Sequence, residues 1–76
     1  MNAERLVAMA NDIANFFAAE PERQIAVDGI ATHLRKFWAP RMRKQLADHV
    51  RVHGAAGLNE LAASAVARLA SMETRT

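Results

Sequence analysis

The 76-residue chain contains no cysteine and no tyrosine. Without thiols it forms no disulfide, and it offers no thiolates for an iron–sulfur cluster or a cysteine-based zinc site. Cysteine-free composition also fits a reducing compartment. No apolar run approaches the ~20 residues that span a bilayer. The stretch Met1 to Arg5 lacks the basic region and apolar core of a signal peptide, so a cytoplasmic location is the default expectation. No repeat, linker or second domain is visible. A single domain near this size buries roughly 60–65% of the surface of its unfolded chain, a thin margin. Small scaffolds add disulfides, a metal or association with another chain, and association is the staple left open here.

Catalytic groups are equally scarce. The serines are Ser64 and Ser71, late in an alanine-rich stretch, with no histidine–carboxylate arrangement set up beside either. Gly29 is isolated, and Gly54 and Gly57 precede a helix without the lysine or threonine of a phosphate loop. His49 and His53 stand at i, i+4, a spacing that allows one metal but equally suits surface histidines at a helix C-terminus, where the dipole favours a cation. No third ligand has a characteristic spacing. A chain this short also leaves little room for a substrate pocket of roughly several hundred Å3. The chain is therefore expected to be non-catalytic and to hold no cofactor or metal.

What is present is helical. Apolar residues recur at i, i+3, i+4 and i+7, and valine and isoleucine never alternate with polar residues as in a strand. Four helices are expected, at about residues 3–19, 22–37, 40–53 and 59–71, in a small all-α bundle of three or four helices. In the first, Asn2 is the N-cap, and Leu6, Met9, Ala10, Ile13, Phe16 and Phe17 form the apolar face. Glu20-Pro21-Glu22 punctuates the chain before the second helix, whose apolar face is Val27, Ile30, Ala31, Leu34, Phe37 and Trp38. Gly29 in its middle costs roughly 1 kcal/mol relative to alanine, which implies either a closely packed neighbour or a bend. Pro40 opens the third helix and Gly54 stops it, with Met42, Leu46 and Val50 facing inward. Asn59 caps the fourth, with Leu58, Leu61, Ala65, Val66 and Leu69 on one face. The first three helices are expected to build the core and the fourth to close it, leaving Met72 to Thr76 as a frayed tail.

Charge is unevenly spread. Between His33 and His53, Arg35, Lys36, Arg41, Arg43, Lys44 and Arg51 stand against Asp48 alone, a net of +5, while the rest of the chain carries −3. This is either a solvated basic face or a surface for an acidic partner or nucleic acid. Within it, Phe37-Trp38-Ala39-Pro40-Arg41-Met42-Arg43-Lys44 joins two aromatics, a proline corner and basic residues. Tryptophan, methionine and arginine are enriched at interfaces, and arginine pairs with carboxylates through two parallel bonds. Phe37 fits the core. Trp38 either caps that core or joins Arg41 and Arg43 in a docking knuckle. Asn11 and Asn15, on the face of helix one away from the apolar stripe, are either solvated or available to hydrogen-bond a partner backbone that approaches the small residues around them.

Three blocks carry a family resemblance. Met9-Ala10-Asn11-Asp12-Ile13-Ala14-Asn15-Phe16-Phe17, then His33-Leu34-Arg35-Lys36-Phe37-Trp38-Ala39-Pro40-Arg41-Met42-Arg43, then Gly57-Leu58 before an alanine-rich helix resemble the delta subunits of NAD-dependent formate dehydrogenase. The likeness covers about residues 4–70 in order and spacing. One departure is Ala39, where the family pattern leads us to expect an acid; a carboxylate there would cap the third helix, and its absence costs about 1 kcal/mol. The resemblance implies a small cytoplasmic component of a soluble complex that oxidises formate to carbon dioxide and reduces NAD. It implies an alpha (catalytic) subunit with a molybdenum or tungsten pterin cofactor and iron–sulfur clusters, and beta and gamma subunits with flavin and further clusters. The delta subunit itself is implied to lack a redox centre and to support assembly or stability. The expected partner interface is Asn11, Asn15, Phe37, Trp38, Pro40, Arg41, Met42, Arg43 and Lys44. The rival reading is a small basic helical nucleic-acid-binding module; it is disfavoured because the corner after the second helix is a proline break, not the short glycine turn of a helix-turn-helix. A self-associating structural protein is a third possibility.

Overall fold

A computed structural model describes residues 2–73. They form four helices, α1 (Ala3–Phe17), α2 (Arg23–Phe37), α3 (Pro40–His53) and α4 (Glu60–Glu73), with no strand among the described residues. The start signals act as their chemistry dictates. Asn2 is extended, and its Oδ1 accepts from the backbone N–H groups of Glu4 at 2.7 Å and Arg5 at 3.2 Å. Asn59 does the same for α4, accepting from Ala62 N at 2.8 Å. Helix α1 stops two residues short of the expected end. Its last turn tightens, with Ala18 N donating to Asn15 O and Glu20 N to Phe17 O, and Pro21 bars Glu20 from continuing the helix. Helix α3 ends at Gly54, whose φ of 80° lies in the region that favours glycine.

The core differs from the expected one in which helices build it. Its buried residues are Leu6, Ala10 and Ala14 from α1, Val27, Ile30, Ala31 and Leu34 from α2, Trp38 from the corner, Leu46 from α3, and Leu58, Ala62, Ala65, Val66 and Leu69 from the α4 region. Helix α4 is central, packed chiefly along α2. Helix α3 is peripheral, with Leu46 alone buried. Small side chains explain the exchange: Ala26 and Ala31 on α2 and Ala62 and Ala65 on α4 are all but fully buried, so the two backbones approach closely. A salt bridge at one end of this pair and another midway along it hold the same two helices together. Arg23 donates from Nε and Nη2 to the Glu60 carboxylate, and from Nη2 to Ser64 Oγ at 2.6 Å; Arg68 Nε reaches Asp28 at 3.2 Å.

Two aromatic expectations are corrected. Phe16, assigned to the apolar face of α1, is 81% exposed. Neighbouring helical residues point about 100° apart, and here only Phe17 turns inward, its ring edge-on to Phe16 and laid across Gly29. A Cβ on Gly29 would stand 2.6 Å from that ring, so close packing, not a bend, accounts for the glycine. Phe37, expected in the core, is 73% exposed, while Trp38 is 6% exposed. At the other terminus, Met72 and Glu73 belong to α4, and Met72 packs against the core; residues 74–76 of the expected frayed tail lie outside the described residues.

The surface ion pairs set an acid sensitivity. The hydrogen bond from Arg23 holds the Glu60 carboxyl below the usual carboxylate range, and that from Lys44 does the same for Asp48. A carboxyl with a depressed pKa in the folded state adds stability above its unfolded pKa and loses it as pH falls through the folded one. The melting temperature is therefore expected to fall as pH drops through and below about 4. The Glu60→Gln variant should show a shallower fall over that window; an unchanged acid profile in thermal melts would remove the Arg23–Glu60 pair from the account.

Candidate docking surface

The α2–α3 corner follows from Pro40. The residue before a proline is pushed out of the helical region, and Ala39 (ψ 147°) and Trp38 (ψ 139°) are both extended. Trp38, just past the helix, is buried and belongs to the core that also holds Leu34 and Leu46. Phe37, the last helical residue, stays outside with its ring 4.9 Å from that of His33. Hydrophobic periodicity places both aromatics on the apolar face; the structure buries Trp38 and leaves Phe37 exposed.

Arg43 holds the corner shut. Its Nη1 donates to Trp38 O at 2.8 Å and to Arg35 O at 2.9 Å, and its Nε donates to Glu73 Oε1 at 3.0 Å. These carbonyls lie at the C-terminal end of α2, where backbone acceptors lack intrahelical partners. One guanidinium thus caps α2, belongs to α3 and pins the end of α4. Its side chain is 15% exposed. Ala39 lacks a side chain that can cap α3, and Met42 N and Arg43 N find only its carbonyl. Ala39→Asp should add about 1 kcal/mol to the unfolding free energy, measured by urea titration; no gain would mean that the corner excludes capping geometry.

Outside this clip lie Arg35, Lys36 and Arg41, all exposed. No ion pair among the described residues reaches any of the three. Lys44 and Arg51 flank Asp48, at 2.9 Å and 3.7 Å. Met42 is half-buried against the core, and Pro40 is exposed. The exposed part of the knuckle is thus Phe37 with the unpaired cations Arg35, Lys36 and Arg41 near it in sequence, while Trp38 is buried and Met42 and Arg43 are half-buried.

Asn11 and Asn15 lie elsewhere, on α1 facing the α3–α4 loop. Asn11 Nδ2 donates to Gly57 O at 2.9 Å, and Asn11 Oδ1 accepts from Asn59 N at 2.8 Å. Asn59 Nδ2 donates to Asn15 Oδ1 at 3.2 Å. A backbone does approach this face, and it is the chain's own. Sequence reading missed the match because these partners are 44 to 48 residues apart.

Other chemistry is sparse. The His49 and His53 rings lie 4.9 Å apart, and no group of three or more possible metal ligands occurs among the described residues. Room for a ligand is greater than expected. An open cavity of about 420 Å3 lies between α3 and α4, lined mainly by alanine and valine beside Asp48 and Arg51, and one of about 390 Å3 adjoins it at Pro40 and Glu73. No helix is long and apolar enough to cross a membrane among the described residues.

A family model described as NADH-dependent formate dehydrogenase delta subunit (FdsD) matches residues 5–66, which include all but the first two residues of α1, then α2, the corner, α3 and the first half of α4. No curated protein and no solved structure matches the chain. The match takes in the first two of the three blocks on which the resemblance rested and the start of the third, and covers more than half of the sequence, so the chain belongs to the delta subunit family of NADH-dependent formate dehydrogenase.

Proposed function

We propose that the chain is a non-catalytic accessory subunit that docks on the catalytic alpha subunit of the cytoplasmic formate dehydrogenase complex and supports its assembly or stability. The observation that carries this reading is Phe37, 73% exposed at a corner braced from behind by Trp38 and Arg43. A large apolar side chain held on a rigid knuckle is suited to fill a partner's pocket. Arg35, Lys36 and Arg41 around it suit carboxylates on the rim of that pocket. Pro40 and Lys44 extend the face, while Met42 supports it from the core side. Asn11 and Asn15 are left out, since their amides are engaged with Gly57 and Asn59. In this reading the pterin cofactor, clusters and flavin belong to the alpha, beta and gamma subunits, and this chain holds none.

The nucleic-acid alternative draws on the same basic stretch. It is weakened because Arg43, Lys44 and Arg51 are already tied to Glu73 and Asp48, which halves the six cations available to phosphates.

Phe37→Ser and Arg41→Glu test the docking face in a complex co-expressed with a tagged alpha subunit. Each is expected to weaken retention about 10-fold or more, the equivalent of about 1.4 kcal/mol. Undiminished co-purification of both variants would remove the knuckle from the interface.

A further inference from the structure

Helix α2 carries an exposed apolar patch at each end, and the two patches differ in the sign of the charge around them. At its C-terminal end stands Phe37 among Arg35, Lys36 and Arg41. At its N-terminal end, on either side of the turn that joins α1 to α2, Phe16 near the end of α1 is 81% exposed and Ile25 in the first turn of α2 is 53% exposed. Asp12, Glu20 and Glu22 are exposed in the same region, and no ion pair among the described residues reaches any of them. The helix dipole accounts for the signs, since acids suit its N-terminus and bases its C-terminus. It does not account for phenylalanine and isoleucine left in water at both ends. The 12 residues from Ile25 to Phe37 separate the patches by ~18 Å along one rigid helix, so they cannot meet within a chain.

We propose that the occupant of the acidic patch is a second copy of this chain, which docks through its basic patch. Both surfaces expose apolar side chains, and the unpaired charges near them are of opposite sign, so the two surfaces complement each other. The contact is heterologous, joining different surfaces of the two copies, so it extends head to tail. The basic patch is also the face proposed to dock on the catalytic subunit. Self-association is therefore a state of the free subunit that docking displaces. The inference stands on the two patches themselves and does not depend on which subunit the corner meets.

The test is sedimentation velocity on the purified full-length chain across a concentration series, at about 20 mM and about 500 mM salt. The mean mass is expected to rise with concentration to at least about twice the monomer value at low salt, and to fall back at high salt. E20K/E22K and R35E/K36E should each remain monomeric, and an equimolar mixture of the two should regain association, because one variant then carries two basic patches and the other two acidic ones. Circular dichroism establishes that both variants are folded. A wild-type chain that stays monomeric at low salt, association insensitive to both reversals, or folded variants that fail to associate on mixing would each overturn the proposal. Failure of the docking reading is seen separately: E20K/E22K leaves the corner intact and should still enter the formate dehydrogenase complex, whereas R35E/K36E should not.

Discussion

Replacing Trp38 with alanine is expected to lower the unfolding free energy by about 3–5 kcal/mol, the usual cost of removing a buried large aromatic. A chain of this length has only about 4–11 kcal/mol to lose, so the variant should be partly unfolded at room temperature. The size of the effect follows from the corner. Trp38 is the only tryptophan and is 6% exposed, and it closes one end of a core otherwise made of leucine, isoleucine, valine and alanine. Urea titration followed by far-UV circular dichroism measures the change, since the indole fluorophore is lost with the mutation. Phe37→Ala is the matched control. As an exposed side chain it should change stability by no more than about 0.5 kcal/mol. The two variants together separate folding from docking: one loses the fold, the other only the partner. A loss below about 1 kcal/mol for Trp38→Ala would mean that the indole is not a core residue.

Arg43→Ala should cost about 2–3 kcal/mol, in line with hydrogen bonds from a charged donor in a partly buried setting. The loss has three parts. Two carbonyls at the end of α2 lose their donor, and the link to Glu73 on α4 is cut. Arg43→Lys is expected to recover less than half of it, because a single ammonium cannot present Nη1 to two carbonyls and Nε to a carboxylate at once. Amide exchange gives an independent readout. The Trp38 N–H, which donates to Leu34 O at 3.0 Å, should exchange faster in both variants as the last turn of α2 frays. Full recovery by lysine would show that charge alone, and not the planar fork, holds the corner.

Much of this was legible in the residues. Asn2, Pro40, Gly54 and Asn59 are local signals whose effect depends on near neighbours, and they placed the helix starts and the end of α3 within a residue. Adjacent aromatics were not legible. Phe16-Phe17 and Phe37-Trp38 each offer two large apolar side chains about 100° apart, and only the packing partner selects one: Gly29 receives Phe17, and the extended residues before Pro40 turn Trp38 inward. The central place of α4 was hidden for another reason. Its burial rests on alanines, which barely register in hydropathy patterns yet permit the close approach to α2. The site was read as a block of sequence, and the block does contain the exposed knuckle. It also contains the side chains that brace that knuckle, and a spacing argument cannot tell a presented arginine from a bracing one.

The Asn11–Asn59 pairing bears on when the molecule can fold during synthesis. The N-cap of α4 is positioned by a side chain made 48 residues earlier, and the helix that covers α2 is translated after α1, α2 and α3. A nascent chain that has emerged only as far as α3 has its first three helices but lacks Leu58, Ala62, Ala65, Val66 and Leu69, a third of its core. Folding of this bundle must therefore wait until α4 has left the ribosome. The braced corner, whose arginine reaches Glu73, is completed only once the end of α4 is in place. A chain that lacks α4 thus lacks one of the anchors that hold Arg43 at the corner.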